Sequence, residues 1–266
     1  MRTTEELQGF RRKWEMAQAW LDESDASVLE AMFNGTLMAP HRIIDPLRTN
    51  RFRPSVAAAR RTSIWNGGVD SWYVASGNGV VSTQTGQYPA ISWTADDGRT
   101  VSYRPDSGLE WNAAAAGNTL YPNGSLKADG KARKSRVDPI LPGETLTASV
   151  WLKTTGTGQG TFLLAKVAAD LTPSVATTQT FSNTAWQRLS LTYTAPSDGS
   201  VIGVFPYFTA SADTLNLHIG PGQLEEGTTP TQWQAGYGAP EVAITQLNSV
   251  SPRHPLVTMN LTIQEL

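Results

Sequence analysis

Period-two alternation, repeated in one short segment after another, is the feature that most restricts this chain. Leu146, Ala148, Val150 and Leu152 form one face of a strand, and Thr147, Ser149, Trp151 and Lys153 form the other. Leu189, Leu191 and Tyr193 alternate with Arg188, Ser190, Thr192 and Thr194 before Pro196-Ser197-Asp198-Gly199 turns the chain. Val204, Pro206 and Phe208 oppose Phe205, Tyr207 and Thr209, and Leu215, Leu217 and Ile219 oppose Asn216 and His218. Farther upstream, segments 91–95 and 99–104 flank Asp96-Asp97-Gly98, a hairpin signature. Short strands between Gly, Pro and Asp turns predict an antiparallel β-sandwich or jelly roll over residues 62–237, where nothing requires a helix.

Charge marks the limits of that region. Residues 1–61 hold 10 basic and 8 acidic side chains, whereas residues 62–237 hold 10 and 13 over almost three times the length. The change falls within 49–61, where Pro54, an Ala run and Arg51, Arg53, Arg60 and Arg61 break any periodic pattern. A second break falls at 236–240, with Gly236, Gly238 and Pro240. The expectation is a mainly β chain in which a sandwich, 62–237, interrupts a small α+β outer unit made of 1–61 and 238–266.

Within the outer unit the first segment admits two readings. With period two, Trp14, Met16, Gln18 and Trp20 share one side of a strand; with period 3.6, Leu7, Phe10, Trp14, Ala17 and Leu21 share a helix face that Thr3 and Glu6 can cap. Next, Ser24 or Asp25 can cap a helix carrying Val28, Leu29, Met32 and Phe33, ending at Asn34-Gly35. At the far end Val257, Met259, Leu261 and Ile263 alternate with Thr258, Asn260, Thr262 and Gln264. This strand has no evident partner nearby in sequence, so it is expected to pair back to the N-terminal segment, which favours a strand at 10–21.

Several chemistries are excluded or left without a motif. The chain has no Cys, so thiol catalysis, thiolate zinc sites and disulfides are absent. A net charge of −2 argues against nonspecific nucleic-acid binding. The series Arg42, Arg48, Arg51, Arg53, Arg60 and Arg61 interleaves only Phe52 as a stacking aromatic, so subunit contact or solvation is the expected use. Residues 1–20 carry Glu5, Glu6 and Glu15 and no apolar run, so no secretory leader is expected at this end. No run of about 18 apolar residues supports membrane insertion. His41, His218 and His254 form no local metal motif, and no metal or cofactor is expected. No Gly-x-Ser-x-Gly elbow is present, and Gly156-x-Gly158-x-Gly160 joins two strands rather than opening a helix. Glycosidase chemistry needs two opposed carboxylates. Glu225 and Glu226 would point to opposite faces of a strand, Asp96 and Asp97 serve a turn, and Glu110 beside Trp111 lacks a partner. The chain is therefore not expected to be an enzyme.

The aromatics are more informative. Sugar rings present apolar C–H faces that pack on Trp and Tyr while polar neighbours grip the hydroxyls. Trp151 shares the polar face of its strand, and the same outward parity selects Arg188, His218 and Tyr207, giving Trp151, Arg188, Tyr207 and His218 as candidate glycan-binding residues. Covering of Trp151 by a loop or a partner subunit is the alternative. Trp65, Trp72, Tyr73, Trp93, Tyr103, Trp111 and Tyr121 are expected mostly in core or inter-sheet packing.

Two resemblances attach to these residues. Pro142-Gly143-Glu144-Thr145-Leu146, Ser149-Val150-Trp151-Leu152-Lys153, Trp186-Gln187-Arg188, and the stretch 218–227 with Gln223-Leu224-Glu225-Glu226-Gly227, then Trp233, resemble carbohydrate-binding jelly rolls of the family 4/9/22 type over roughly 120–235. The outer unit, with its Trp14 strand, capped helix ending at Gly35, Ile43-Ile44-Asp45-Pro46-Leu47-Arg48-Thr49-Asn50, and a strand after His254-Pro255-Leu256, resembles a minor or distal tail protein of a tailed bacteriophage. That resemblance implies a structural virion protein located in the tail, partnered by other tail proteins and copies of itself. Its jelly roll either touches host-surface polysaccharide or only braces the tail. The alternative is a carbohydrate-binding module of a secreted polysaccharide-degrading system.

Overall fold

A computed structural model describes residues 11–38, 41–59, 72–76, 80–85, 91–94, 98–103, 107–113, 115–122, 125–155, 158–211, 214–253 and 255–266. Thr3, Glu6, Arg60, Arg61, Trp65, Asp96, Asp97, Gly156 and His254, named above, lie outside the described residues. The chain divides into two compact units, 1–44 with 240–266, and 45–239.

In the first unit the period-two reading of the N-terminal segment prevails. Strand β1 (Lys13–Leu21) leads into helix α1 (Glu23–Phe33), followed by β2 (His41–Arg42). Asp22 caps the helix, its carboxylate accepting from the Asp25 backbone N–H at 2.9 Å; Ser24 and Asp25, the predicted caps, lie two and three residues farther on, within the first turn. In its C-terminal part, β16 (Glu241–Arg253) and β17 (Leu256–Glu265) form a hairpin, and the antiparallel sheet runs β1-β17-β16-β2. The terminal strand therefore has both a remote partner and a neighbouring one. β16 was missed because its apolar residues Val242, Ile244 and Leu247 are interrupted by a register shift between Ile244 and Gln246.

The second unit begins earlier than composition indicated. Residues 45–59, expected in the outer unit, join the sandwich. Asn50 donates to the Gly222 and Gln234 carbonyls at 3.1 and 2.8 Å, and its Oδ1 accepts from the Leu224 N–H at 3.1 Å. Arg51, read from sequence as a solvated or subunit-contact arginine, is instead 3% exposed and forms a two-pronged ion pair with Glu144. Phe52 is buried in the core, and the single-turn helix α2 (Pro54–Ala57) buries Val56 and Ala57. A Cβ at Gly238 would stand 2.2 Å from the Arg48 carbonyl oxygen, so this close backbone approach needs glycine there.

The described strands of this unit are β3 (Trp72–Ser76), β4 (Val80–Thr85), β5 (Ile91–Thr94), β6 (Thr100–Tyr103), β7 (Ser107–Ala113), β8 (Thr119–Pro122), β9 (Asp138–Pro139), β10 (Thr145–Thr155), β11 (Gly160–Ala168), β12 (Pro173–Phe181), β13 (Gln187–Thr194), β14 (Val201–Ala210) and β15 (Leu215–Glu226). One sheet runs β13-β10-β15-β7-β4 and the other β12-β11-β14-β8-β3, while β5 and β6 form the predicted hairpin. Among the described strands the chain changes sheet at six of the eight connections from β7 to β15, as in a jelly roll. Leu146, Ala148, Val150 and Leu152 meet Phe162, Leu164, Phe208, Leu217 and Ile219 in one core, with the predicted core residues Trp72 and Trp111 among them. Each fully buried side chain of this size stabilises the fold by about 1.5–3 kcal/mol.

Candidate functional site

Because the even positions of β10 enter the core, Thr147, Ser149, Trp151 and Lys153 issue from the opposite side of the sheet. Register carries the same parity to β13 and β15. Arg188 lies opposite Trp151, and His218 lies opposite Lys153 and next to Glu110 of β7. Trp151, Arg188 and His218 are thus on one outer face. Tyr207 is not with them. It belongs to β14 of the other sheet, where it stacks on Tyr121 with ring centroids 4.8 Å apart, and burial pushes its hydroxyl pKa up to about 12. Alternation fixes which side of its own strand a residue occupies, but not which sheet that strand joins.

The outer face is divided in two. Over one half runs residues 227–234, held by side chains of the sheet. Thr147 Oγ1 donates to the Gly227 carbonyl at 2.7 Å, and the Trp233 indole donates to the Gly222 carbonyl at 3.0 Å. Glu225 accepts from the Thr231 N–H at 2.9 Å and from the Thr231 hydroxyl. Gln223 Oε1 accepts from the Gln234 N–H at 2.7 Å. Arg188 is consumed by this arrangement. Its guanidinium donates to Ser149 Oγ at 2.8 Å and to the Thr231 carbonyl at 2.6 Å, and pairs with Glu225 at 3.9 Å. Burial lowers its pKa against the opposing pull of Glu225. Arg188 therefore fastens the covering segment, and the anticipated loop covers this half but leaves Trp151 at its border.

The other half stays open. Trp151 sits at a β-bulge where register with β15 shifts between Val150 and Leu152. Trp186, from the β12–β13 connection, joins it; a Cβ at Gly220 would come within 3.2 Å of the Trp151 Cβ and 3.4 Å of the Trp186 ring. The Trp186 ring meets the edge of His218 at 6.4 Å and carries the Lys153 ammonium 5.4 Å from its centroid. Asn216 donates to Glu110 Oε1 at 2.7 Å, while its own Oδ1 is buried without a partner. Burial lowers the His218 pKa; Glu110 opposes this and Lys153 reinforces it. Two half-buried indoles bordered by an ammonium, an imidazole, an amide and a carboxylate can stack a ring and bond its substituents. Sequence reasoning named Trp151 and His218 but missed Trp186, Asn216 and Glu110 as members of this group. The Trp186-Gln187-Arg188 motif marked the place without assigning the role. Among the described residues no group of three or more His, Asp or Glu stands close enough to hold a metal ion.

No protein-family model matches the chain, and no curated protein matches its sequence. Solved structures overlap it loosely. The C-terminal family 22 carbohydrate-binding module of Clostridium thermocellum Xyn10B is 20% identical, covering 62% of this chain and 91% of that one, with a TM-score of 0.40. The CBM22-1–GH10 modules of the same xylanase, complexed with xylohexaose, are 15% identical over 59% of this chain and only 26% of theirs, with a TM-score of 0.36. The enzymatically active domain of bacteriophage CBA120 tailspike protein 4 is 11% identical, covering 67% of this chain and 22% of that one, with a TM-score of 0.41. Similarity at this level assigns no ligand.

Proposed function

We propose that this chain is a glycan-binding β-sandwich protein that takes polysaccharide on the open half of the β13-β10-β15-β7-β4 face. The observation that carries the reading is the juxtaposition of Trp151 and Trp186 with Lys153, His218, Asn216 and Glu110. The rings supply stacking area with little conformational entropy to lose, and the polar groups supply orientation. Binding rather than catalysis is the reading, because Glu110 is engaged by Asn216 and Glu225 lies at the far end of β15 under the covering segment. The test is titration of the purified chain with bacterial cell-wall polysaccharides and xylo-oligosaccharides. Saturable binding weakened at least tenfold by Trp151→Ala and by Trp186→Ala supports the reading, and equal binding by both variants and wild type defeats it.

A second reading, a component of a bacteriophage tail that shows the sandwich to a host surface, draws support from the first unit. Trp20 is 63% and Met38 84% exposed there, and Phe33 and Leu37 are also exposed, apolar surface suited to docking into an assembly of other tail proteins or copies of this chain. Light scattering on the purified chain tests it. A self-associating chain that Trp20→Ser returns to monomer supports this reading, and a monomer unchanged by the substitution counts against it.

A further inference from the structure

Charge on the β13-β10-β15-β7-β4 sheet is sparse and unevenly matched. Besides His218, the titratable or charged acids and bases of its five strands are Glu110, Lys153, Arg188, Glu225 and Glu226. Arg188 and Glu225 pair beneath segment 227–234, and Glu226 closes β15 opposite Leu146, at the covered end. The open half keeps Lys153 and Glu110, with His218 between them in one cross-strand row.

These two charges are not equally presented. Glu110 is 8% exposed, and its Oε1 is taken by Asn216. Lys153 is half-buried, and among the described residues its ammonium meets no carboxylate; it rests on the Trp186 ring instead. No described group bonds to the His218 imidazole, and its nitrogens are not among the buried atoms that lack partners, so they reach solvent. The open half therefore offers a cation and a cationisable ring at its surface and keeps its carboxylate recessed. An ammonium held partly out of water with no ion pair in return gains more from an arriving anion than a fully solvated lysine does.

We propose that the ligand of this face is an acidic glycan, built of hexuronic acid rings, and that Lys153 is the residue that selects the acid; this rests on the reading of the open half as a glycan site. The pyranose stacks on Trp151 and its carboxylate reaches the Lys153 ammonium, which Trp186 holds in place. Residues two apart on a strand stand about 6.6 Å from each other, a spacing that suits a ring over Trp151 with its carboxylate directed along β10. The groups facing His218 are Lys153 from β10, Glu110 from β7 and Trp186 from the β12–β13 connection. A carboxylate bound beside it favours the imidazolium, so binding takes up protons and tightens as pH falls. The sugar acid itself, like a chain-terminal carboxyl with a pKa of about 3.5, stays ionised over that range.

The experiment is calorimetric titration of the full chain with oligosaccharides of glucuronate, galacturonate and mannuronate, each beside its methyl ester, which keeps the ring and removes the charge. The expected result is that at least one acid binds tenfold or more tighter than its ester at pH 6 and low salt. Lys153→Met brings that ratio to about one, and Lys153→Arg, which keeps the charge, preserves it. Between pH 7.5 and 5.5 the ratio grows in wild type and stays level in His218→Gln. Esters that bind as tightly as acids, a preference that survives Lys153→Met, or its loss in both Lys153 variants overturns the proposal. A ratio that ignores pH in wild type, or still grows in His218→Gln, overturns the part given to His218. Trp151-dependent binding of esters or neutral saccharides with no preference for acids defeats acid selection alone and leaves the glycan reading standing. Absence of Trp151-dependent binding to any saccharide defeats both.

Discussion

Along β10, Thr147 and Ser149 are as buried as core residues although they point away from the core, whereas Trp151 and Lys153, farther along the same side, remain partly open. The cause is the segment 227–234, which matches Thr147, Glu225, Gln223 and Arg188 with hydrogen-bonding partners and stops short of Trp151. A polar sheet face can thus be buried when each group finds a partner, and the part left uncovered is the part available to a ligand. Aromatic content alone does not separate the two halves, since Trp233 belongs to the cover and Trp151 to the open part.

The comparison breaks most easily at Glu225. Glu225→Ala removes the acceptor of both Thr231 bonds and leaves Arg188 under the cover without its carboxylate, so a loss of about 3 kcal/mol in urea unfolding is expected. An unchanged midpoint would mean the segment is not fastened through this residue. On the open half the balance reverses. Trp151→Ala costs about 1 kcal/mol of stability but weakens polysaccharide binding tenfold, about 1.4 kcal/mol, as measured by affinity electrophoresis beside a melting curve. Thr147→Ala, which deletes one hydroxyl from the covered half, costs about 1 kcal/mol and leaves polysaccharide affinity as it was.

The smallest effect is a dependence on pH. Burial holds the folded-state pKa of His218 below its unfolded value near 6.5. The unfolded chain therefore binds a proton first as pH falls, and the contribution of this residue to stability, complete above about 6.5, declines below it until the folded-state pKa is passed. Thermal melts from pH 7.5 to 5 are expected to show a fall that His218→Gln reduces. Glu110 and Lys153 are the charged groups facing His218. A fall of the same size in the variant would place the sensitive group elsewhere.

Much of the sandwich was legible because alternation reports directly on which side of a strand a residue faces. Leu146 through Lys153 behaved as their pattern required, and so did Arg188 and His218. Three features were not legible. Tyr207 has outward parity too, but sheet membership is set by the order in which strands pair. Arg51 resembled its exposed neighbours in a basic run, and only the approach of Glu144, from the remote turn before β10, turns it inward. Segment 227–234 has no periodic pattern, since its bonds run to side chains of β10, β13 and β15 rather than along a strand of its own.

By itself, then, the sequence determined a β-rich chain with Trp151 and His218 outside the core, because a period of two is a local property of the backbone. Tertiary structure decided that Trp186, Asn216 and Glu110 join them and that Arg188 is spent on the cover. Those outcomes depend on which strands become neighbours and which become edges, contacts between residues far apart in the chain that no local pattern encodes.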